Sequence, residues 1–283
     1  MRKIGILTDS ASYLSDELLK RVDIRVCYLN VIIDGTSYKE IIEIDNETLF
    51  KKIKEGKKVT TTQPSPEEFF QVYNEFKNEG YTDVISILMS SKASGTYQSA
   101  VLASQMVEGI NFHFIDTLQG AVGEEIVVER VVELLDKKID LEAIFNKVNK
   151  LIQNIKLKAT VEDLRFFARS GRLKMTQALL GNILNFKPII RTKEGLLELA
   201  TKIRTTKRVI EKFVEDIKED FKKCEEEMIV KITHVNAKEK AEEIKKRIEE
   251  ISDKIKVSIS KELGPAYATH FGPGGFAVAW TTL

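Results

Sequence analysis

The chain has 283 residues, with 44 Lys plus Arg against 43 Asp plus Glu, 43% hydrophobic residues and 31% charged ones. That length fits one large or two modest domains with enough core to need no disulfide or metal staple. The charge balance excludes a protein acting mainly as a polycation on nucleic acid or anionic membrane, and the hydrophobic content excludes a disordered chain.

In chain order, Ile4 to Thr8 is predicted as a strand closed by Asp9-Ser10. Ile24 to Ile33 reads as one long β-rich run, and Asp34-Gly35 after it is a hairpin-turn signal. Asn46 to Glu55 is a predicted helix ending at Gly56. Ser65-Pro66-Glu67-Glu68 starts another, since Ser65 can cap, Pro66 suits the first turn and Glu68 completes a capping box. It should run to Glu79 and stop at Gly80. A strand at Asp83 to Met89, a helix from Gly95 to Glu108, a strand at Asn111 to Ile115, and helices at Gly123 to Leu135 and Leu141 to Ile155 follow. This alternation predicts a mostly parallel sheet covered by helices.

After residue 156 hairpins mix with helices. Lys156 to Val161 is a predicted strand, Glu162 to Ala168 a short helix broken at Ser170-Gly171-Arg172, and Lys174 to Leu184 an amphipathic stretch. Pro188 to Thr192 and Leu196 to Ile203 flank the turn Lys193-Glu194-Gly195. Val209 to Phe221 and Ala237 to Ile251 are charged amphipathic helices around a strand at Met228 to Thr233, and Ile255 to Ser260 and Gly275 to Thr282 are strand-like. The expected fold class is α/β in two domains, an N-terminal mostly parallel sheet over residues 1–155 and a C-terminal α+β domain over 156–283. The Lys- and Glu-rich stretch from Lys202 to Lys261 is best read as solvated helix faces with i,i+4 pairs.

Cys27 and Cys224 are far apart, so no disulfide framework is expected and a reducing, cytoplasmic compartment is. Met1 to Ser10 holds only a short apolar run broken by Asp9, unlike a signal peptide. No apolar run approaches the roughly 20 residues of a membrane helix. Phosphate-loop, nucleophile-elbow, zinc-protease and C-x-x-C signatures are absent from the sequence, and no metal or cofactor is expected.

What remains is a set of hydroxyl- and glycine-rich segments. Thr8-Asp9-Ser10, Thr60 to Pro66, Ser90 to Thr96 and Asp116-Thr117 each lie at the end of a predicted strand. In a parallel sheet such ends form the ligand crevice. Hydroxyls and backbone N–H groups there bind small anions, and Gly95 allows close approach. Ser65 is best explained as a helix cap; Thr61 and Ser94 sit in clusters richer than a cap requires. A fifth segment, Gly264 to Gly275, holds His270 in a loop framed by Gly and Pro. His113 alternates with Phe112 and Phe114 on a strand, and His234 is expected at a surface or loop.

Taken in order, these segments resemble the DegV family, the bacterial fatty-acid-binding proteins. The resemblance rests on the opening strand with Asp9-Ser10, Thr61-Thr62-Gln63-Pro64-Ser65, Ser90 to Ala100, Gly171-Arg172-Leu173 and Thr269 to Gly274. Thr62 and Thr117 stand where the family usually has Ser; both keep the hydroxyl. The resemblance implies one long-chain fatty acid, such as palmitate or stearate, buried between or beneath the domains. It implies a carboxylate held by Thr61 and Ser94 with His270 nearby, Thr62 and Gly95 alongside, and Asp9, Ser10, Thr96 and Gly272 supporting. It further implies a separate fatty acid kinase as partner, with Arg172 as a candidate contact, and a chain that binds and presents the lipid rather than acting as a complete enzyme.

A tail of roughly fourteen methylenes, each worth ~0.8 kcal/mol on burial, gains on the order of 11 kcal/mol before association costs. The head group therefore needs only to be satisfied. Tail-pocket candidates are Phe166, Phe167, Leu179, Leu180, Ile183, Leu184 and Phe186, each equally explicable as core. Two rival functions use the same residues. One is a serine hydrolase with Ser94, His270 and Asp116 as nucleophile, base and orienting acid. The other is a transferase binding a sugar phosphate in the anion crevice.

Overall fold

The computed structural model describes residues 2–174, 186–223 and 227–282. The chain forms two compact units. The first is Met1–Val128 with Gly264–Thr269, and the second is Glu129–Leu263 with His270–Leu283. The change of texture near residue 156 thus falls inside the second unit.

The first unit runs β1 (Ile4–Asp9), α1 (Asp16–Leu19), β2 (Ile24–Cys27), β3 (Asn30–Ile33), β4 (Thr36–Lys39), α2 (Asn46–Lys54), β5 (Val59–Thr62), α3 (Pro66–Asn78), β6 (Asp83–Leu88), α4 (Thr96–Ser104) and β7 (Asn111–Asp116). Strands β2-β1-β6-β7 form an all-parallel sheet, with Ile6 opposite both Ile24 and Ile85. Every residue of β6 is buried, as expected of a strand covered on both faces. Helix α3 lays Phe69, Tyr73 and Phe76 into a core with Leu7, Val84 and Leu88. It approaches closely because β1 has Gly5 at the contact, where a Cβ would stand 2.5 Å from the Phe76 ring. Its start is the expected capping box: Ser65 and Glu68 each bond the other's backbone N–H.

Three expectations are corrected here. The run from Ile24 to Ile33 is two strands in different sheets. Pairing with β1 ends at Cys27, and the Leu29 N–H turns away to donate to Ser10 Oγ (2.9 Å). β3 then joins an antiparallel sheet, β4-β3-β5, whose β3–β4 turn has Asp34 at φ 49° and Gly35 at φ 90°. The segment at Thr60 to Thr62, expected as part of a hydroxyl-rich loop, lies in β5. Helix α4 closes at Ser104 rather than continuing to Glu108.

Helix α5 (Val122–Asp136) contains the first boundary between the units. The second unit continues with α6 (Leu141–Asn154), β8 (Lys156–Thr160), α7 (Arg165–Ser170), β9 (Leu173–Lys174), β10 (Lys187–Lys193), β11 (Leu196–Ile203), α8 (Thr206–Phe221), β12 (Met228–His234), α9 (Lys238–Glu249) and β13 (Ile255–Ile259). After α10 (Pro265–Phe271), β14 (Phe276–Thr282) completes a mixed sheet ordered β13-β12-β14-β8-β10-β11-β9. Helices α8 and α9 bury Val209, Phe213, Ile217, Ala241, Ile244 and Ile248 against Val230, Phe276 and Trp280. Their outer faces carry i,i+4 pairs such as Lys245–Glu249 and Arg247–Glu243, as the charge pattern predicts. The β10–β11 turn has Glu194 at φ 50° and Gly195 at φ 82°.

His234 is not a surface residue. It closes β12, buried opposite Phe276, with Nδ1 accepting the Ala237 N–H (3.4 Å). His113 lies in β7 as expected, its Nε2 at 3.0 Å from Asp83 Oδ1. Cys27 is a buried free thiol, and Cys224 lies outside the described residues. Among the described residues no helix is long and apolar enough to cross a membrane.

Candidate ligand-binding site

The order β2-β1-β6-β7 has its switch point between β1 and β6, where connections leave in opposite directions and open a crevice at the carboxyl ends. β1, β6 and β7 deliver Thr8-Asp9-Ser10, Met89 to Thr96 and Asp116 to Gln119 to that end. Asp9 spans the switch point. Its Oδ2 accepts the Met89 N–H and its Oδ1 the Ala11 N–H, both at 2.9 Å. Burial pushes its pKa up to about 7, against the pull of those two N–H groups. Asp9 is therefore a tie between strands rather than an exposed group of the crevice. Ser10 is likewise buried and committed, donating to Glu40 Oε1 (2.5 Å).

The Ser90 to Thr96 turn is folded on itself. The Ser90 carbonyl accepts the Ala93 and Ser94 N–H groups. Ser91 donates from Oγ to Asp116 Oδ2 (2.5 Å), while its N–H and that of Leu118 donate to Asp116 Oδ1. Asp116 is thus held by this turn, not placed as the orienting acid of a triad. Ser94 Oγ lies 2.8 Å from Thr96 Oγ1 and accepts the Thr96 N–H (3.3 Å). Thr96 is fully buried, so its hydroxyl serves Ser94. Gly95 sits where a Cβ would stand 3.0 Å from Gln63 Nε2. That contact brings the Thr61-Thr62-Gln63 segment against Ser94-Gly95. Thr61 and Ser94 are half-buried and Thr62 is exposed.

The segment around His270, expected as a loop, forms α10. Its local sequence offers no side-chain cap, since Gly264 and Pro265 precede Ala266. Glu40 supplies one from 226 residues away: its Oε2 accepts the Ala266 N–H (2.9 Å) and the Tyr13 hydroxyl (3.1 Å). Gly264 is required, because a Cβ there would lie 2.9 Å from both Glu40 Oε2 and Tyr13 Cε1. Sequence reasoning missed Glu40, Tyr13, Tyr267 and the buried Glu124; a lone acid between Lys39 and Ile41 gives no local signal.

In the second unit, His270 is half-buried at the end of α10. Burial, with the nearby Arg172 charge, lowers its pKa to about 4, so the imidazole is neutral at pH 7. Gly272 follows at φ 66° with the Phe166 ring 2.7 Å from where a Cβ would be. Phe167 is buried with its ring centroid 5.0 Å from that of Phe271. Arg172 is exposed just after left-handed Gly171. Of the other tail candidates, Phe186 is exposed, and Leu179, Leu180, Ile183 and Leu184 lie outside the described residues.

A parallel sheet with hydroxyl-bearing turns at its carboxyl end, joined in one chain to a mixed-sheet unit, makes this a two-unit α/β protein. The family model described as "Uncharacterised protein, DegV family" matches residues 3–283, and the chain belongs to that family. It is 34% identical over 280 residues to a DegV domain-containing protein of Listeria innocua, covering 99% of this chain and 98% of that one. Among solved structures it is similar to a DegV family protein from Thermus thermophilus described by its fatty acid binding, at TM-score 0.90 and 31% identity over the whole of both chains. It is also similar to a stearic acid-binding protein from Eubacterium ventriosum, at TM-score 0.88 and 25% identity over 100% of this chain and 98% of that one.

Proposed function

We propose that this chain binds one long-chain fatty acid and presents its carboxylate to a partner kinase, which converts it to an acyl phosphate. The observation that supports this most directly is the contact of Gln63 with Gly95. It puts the residue that follows Thr61 and Thr62 against the one that follows Ser94, in a chain whose structural relatives are named for fatty acid binding. In this reading Thr61 and Ser94 donate to the carboxylate, and the Gly95 backbone lies alongside. Neutral His270 is a further contact and exposed Arg172 meets the kinase. Thr96 holds Ser94, Asp9 and Ser10 hold the strand ends, and Gly272 permits the turn after α10. The chain works in the cytoplasm with no cofactor of its own.

Neutral donors suit the chemistry. A carboxylate clamped by a bidentate guanidinium loses nucleophilicity. One held by hydroxyls keeps an oxygen able to attack the terminal phosphorus of a nucleoside triphosphate on the kinase. The new bond is carboxylate oxygen to phosphorus, the bond to the bridging oxygen breaks, and nucleoside diphosphate leaves. Tail burial at ~0.8 kcal/mol per methylene supplies the affinity that this weak grip does not.

The test is solvent extraction of the purified chain and mass spectrometry against a matched blank. A stoichiometric C16 or C18 acid is expected, and Thr61→Ala and Ser94→Ala should each weaken palmitate binding. An empty extract together with no uptake of added palmitate would overturn the reading.

A further inference from the structure

Gln63 stands between two fixed points of the first unit. Before it, β5 ends at Thr62, which is paired with Asn30 of β3. After it comes Pro64, which is buried, and a proline restricts the backbone of the residue that precedes it. Ser65 then enters the capping box of α3. The Gln63 backbone is therefore held from both sides, although the residue itself is exposed.

The side-chain amide lies on Gly95. A Cβ at Gly95 would stand 3.0 Å from Nε2 and 3.2 Å from Cδ of Gln63. Gly95 has φ -77° and ψ 5°, a conformation open to residues that carry a side chain. The backbone thus does not call for glycine at this position; room for the Gln63 amide does. Nor is the contact a helix cap. At the start of α4 the Thr96 N–H donates to Ser94 Oγ (3.3 Å) and the Ser99 N–H to the Gly95 carbonyl. Among the described residues the Gln63 amide has no hydrogen-bond partner. Both of its N–H donors are uncommitted, on a side chain seated between the residues that follow Thr61-Thr62 and Ser94.

We propose that Gln63 is a further side-chain donor to the fatty-acid carboxylate, its Nε2 bonding one oxygen alongside Thr61 and Ser94. This rests on the fatty-acid reading above. The amide is neutral, so it adds a hydrogen bond without clamping the carboxylate as a bidentate cation does. Its backbone is already fixed, so less freedom is lost when the ligand arrives. Gly95 is the seat that lets the amide come this close.

The test uses the full chain carrying Gln63→Ala, Gln63→Glu, Gly95→Ala, or Gln63→Ala with Gly95→Ala. The Kd for palmitate is read at low and at high salt, and the melting temperature is read without ligand. Gln63→Ala should raise Kd roughly tenfold, the factor for losing one hydrogen bond to a charged group. Its melting temperature should stay that of the unaltered chain, because the side chain is exposed. Gln63→Glu keeps the shape but sets a negative charge against the carboxylate. It should raise Kd further, and part of that rise should vanish at high salt relative to the unaltered chain. Gly95→Ala should weaken binding in the unaltered chain and much less once Gln63→Ala is present, since the amide it displaces is then gone. Unchanged palmitate affinity in Gln63→Ala would overturn the proposal. So would an equal, salt-independent rise in Kd for both Gln63 variants, or fully additive losses in the double variant. If the unaltered chain binds no palmitate, the fatty-acid reading itself fails and this inference with it; if it binds and the Gln63 variants match it, only this inference fails.

Discussion

Glu124 is fully buried, yet only one of its oxygens is used. Thr8 donates to Oε1 (3.3 Å), while Oε2 has no partner among the described residues. Burial, and then the Asp9 charge, hold its pKa well above the ordinary carboxylate range. A group with a raised folded pKa costs stability as pH climbs from its unfolded value toward its folded one. Glu124→Gln should therefore raise the melting temperature more at pH 8 than at pH 5, by roughly 3 °C, the shift that about 1 kcal/mol gives in a protein of this size. Equal shifts at both pH values would contradict the raised pKa. His270 has the opposite sign. Its folded pKa lies near 4 against an ordinary 6.5, so its contribution is full above pH 6.5 and is lost as pH falls toward 4. Urea melts at pH 7 and pH 5 should show wild type losing more stability than His270→Asn over that interval.

Elements with a local start and stop signal were legible in the sequence. Ser65-Pro66-Glu67-Glu68 announces α3 by its chemistry, and Gly56 and Gly80 take the positive φ that ends a helical run. Removing the cap with Ser65→Ala should cost about 1 kcal/mol and leave palmitate affinity unchanged, whereas Ser94→Ala should weaken binding. Comparing the two by thermal melt and binding titration separates a cap from a contact. β5 was not legible, because Val59-Thr60-Thr61-Thr62 becomes a strand only by pairing with β3. Nor was α10, which is bracketed by Gly-Pro at both ends and capped by a distant acid. Its packing is tight: a Cβ on Gly120 would stand 1.9 Å from the Tyr267 hydroxyl. Gly120→Ala should therefore lower the melting temperature markedly, and Tyr267→Phe in the same chain should restore part of it.

At the scale of the molecule, alternating strands and helices made the parallel sheet readable, since its strands carry their burial in their own composition. The discontinuity of the first unit was not readable, because a partnership across 226 residues leaves no mark on either local sequence. A chain cut after Val128 lacks Gly264 to Thr269, which leaves Glu40 buried without the Ala266 N–H. Loss of the donor to a buried acceptor costs ~1–3 kcal/mol. The fragment should melt broadly by circular dichroism, where the whole chain should give a sharp transition.

The same discontinuity has a consequence for how the chain is made. On the ribosome the first 128 residues emerge long before Gly264 to Thr269. At about 5–20 residues per second that wait is on the order of ten seconds. Through it the nascent sheet carries Glu40 with its helical partner still unsynthesised, so this part of the protein can finish folding only after Gly264 to Thr269 has been made.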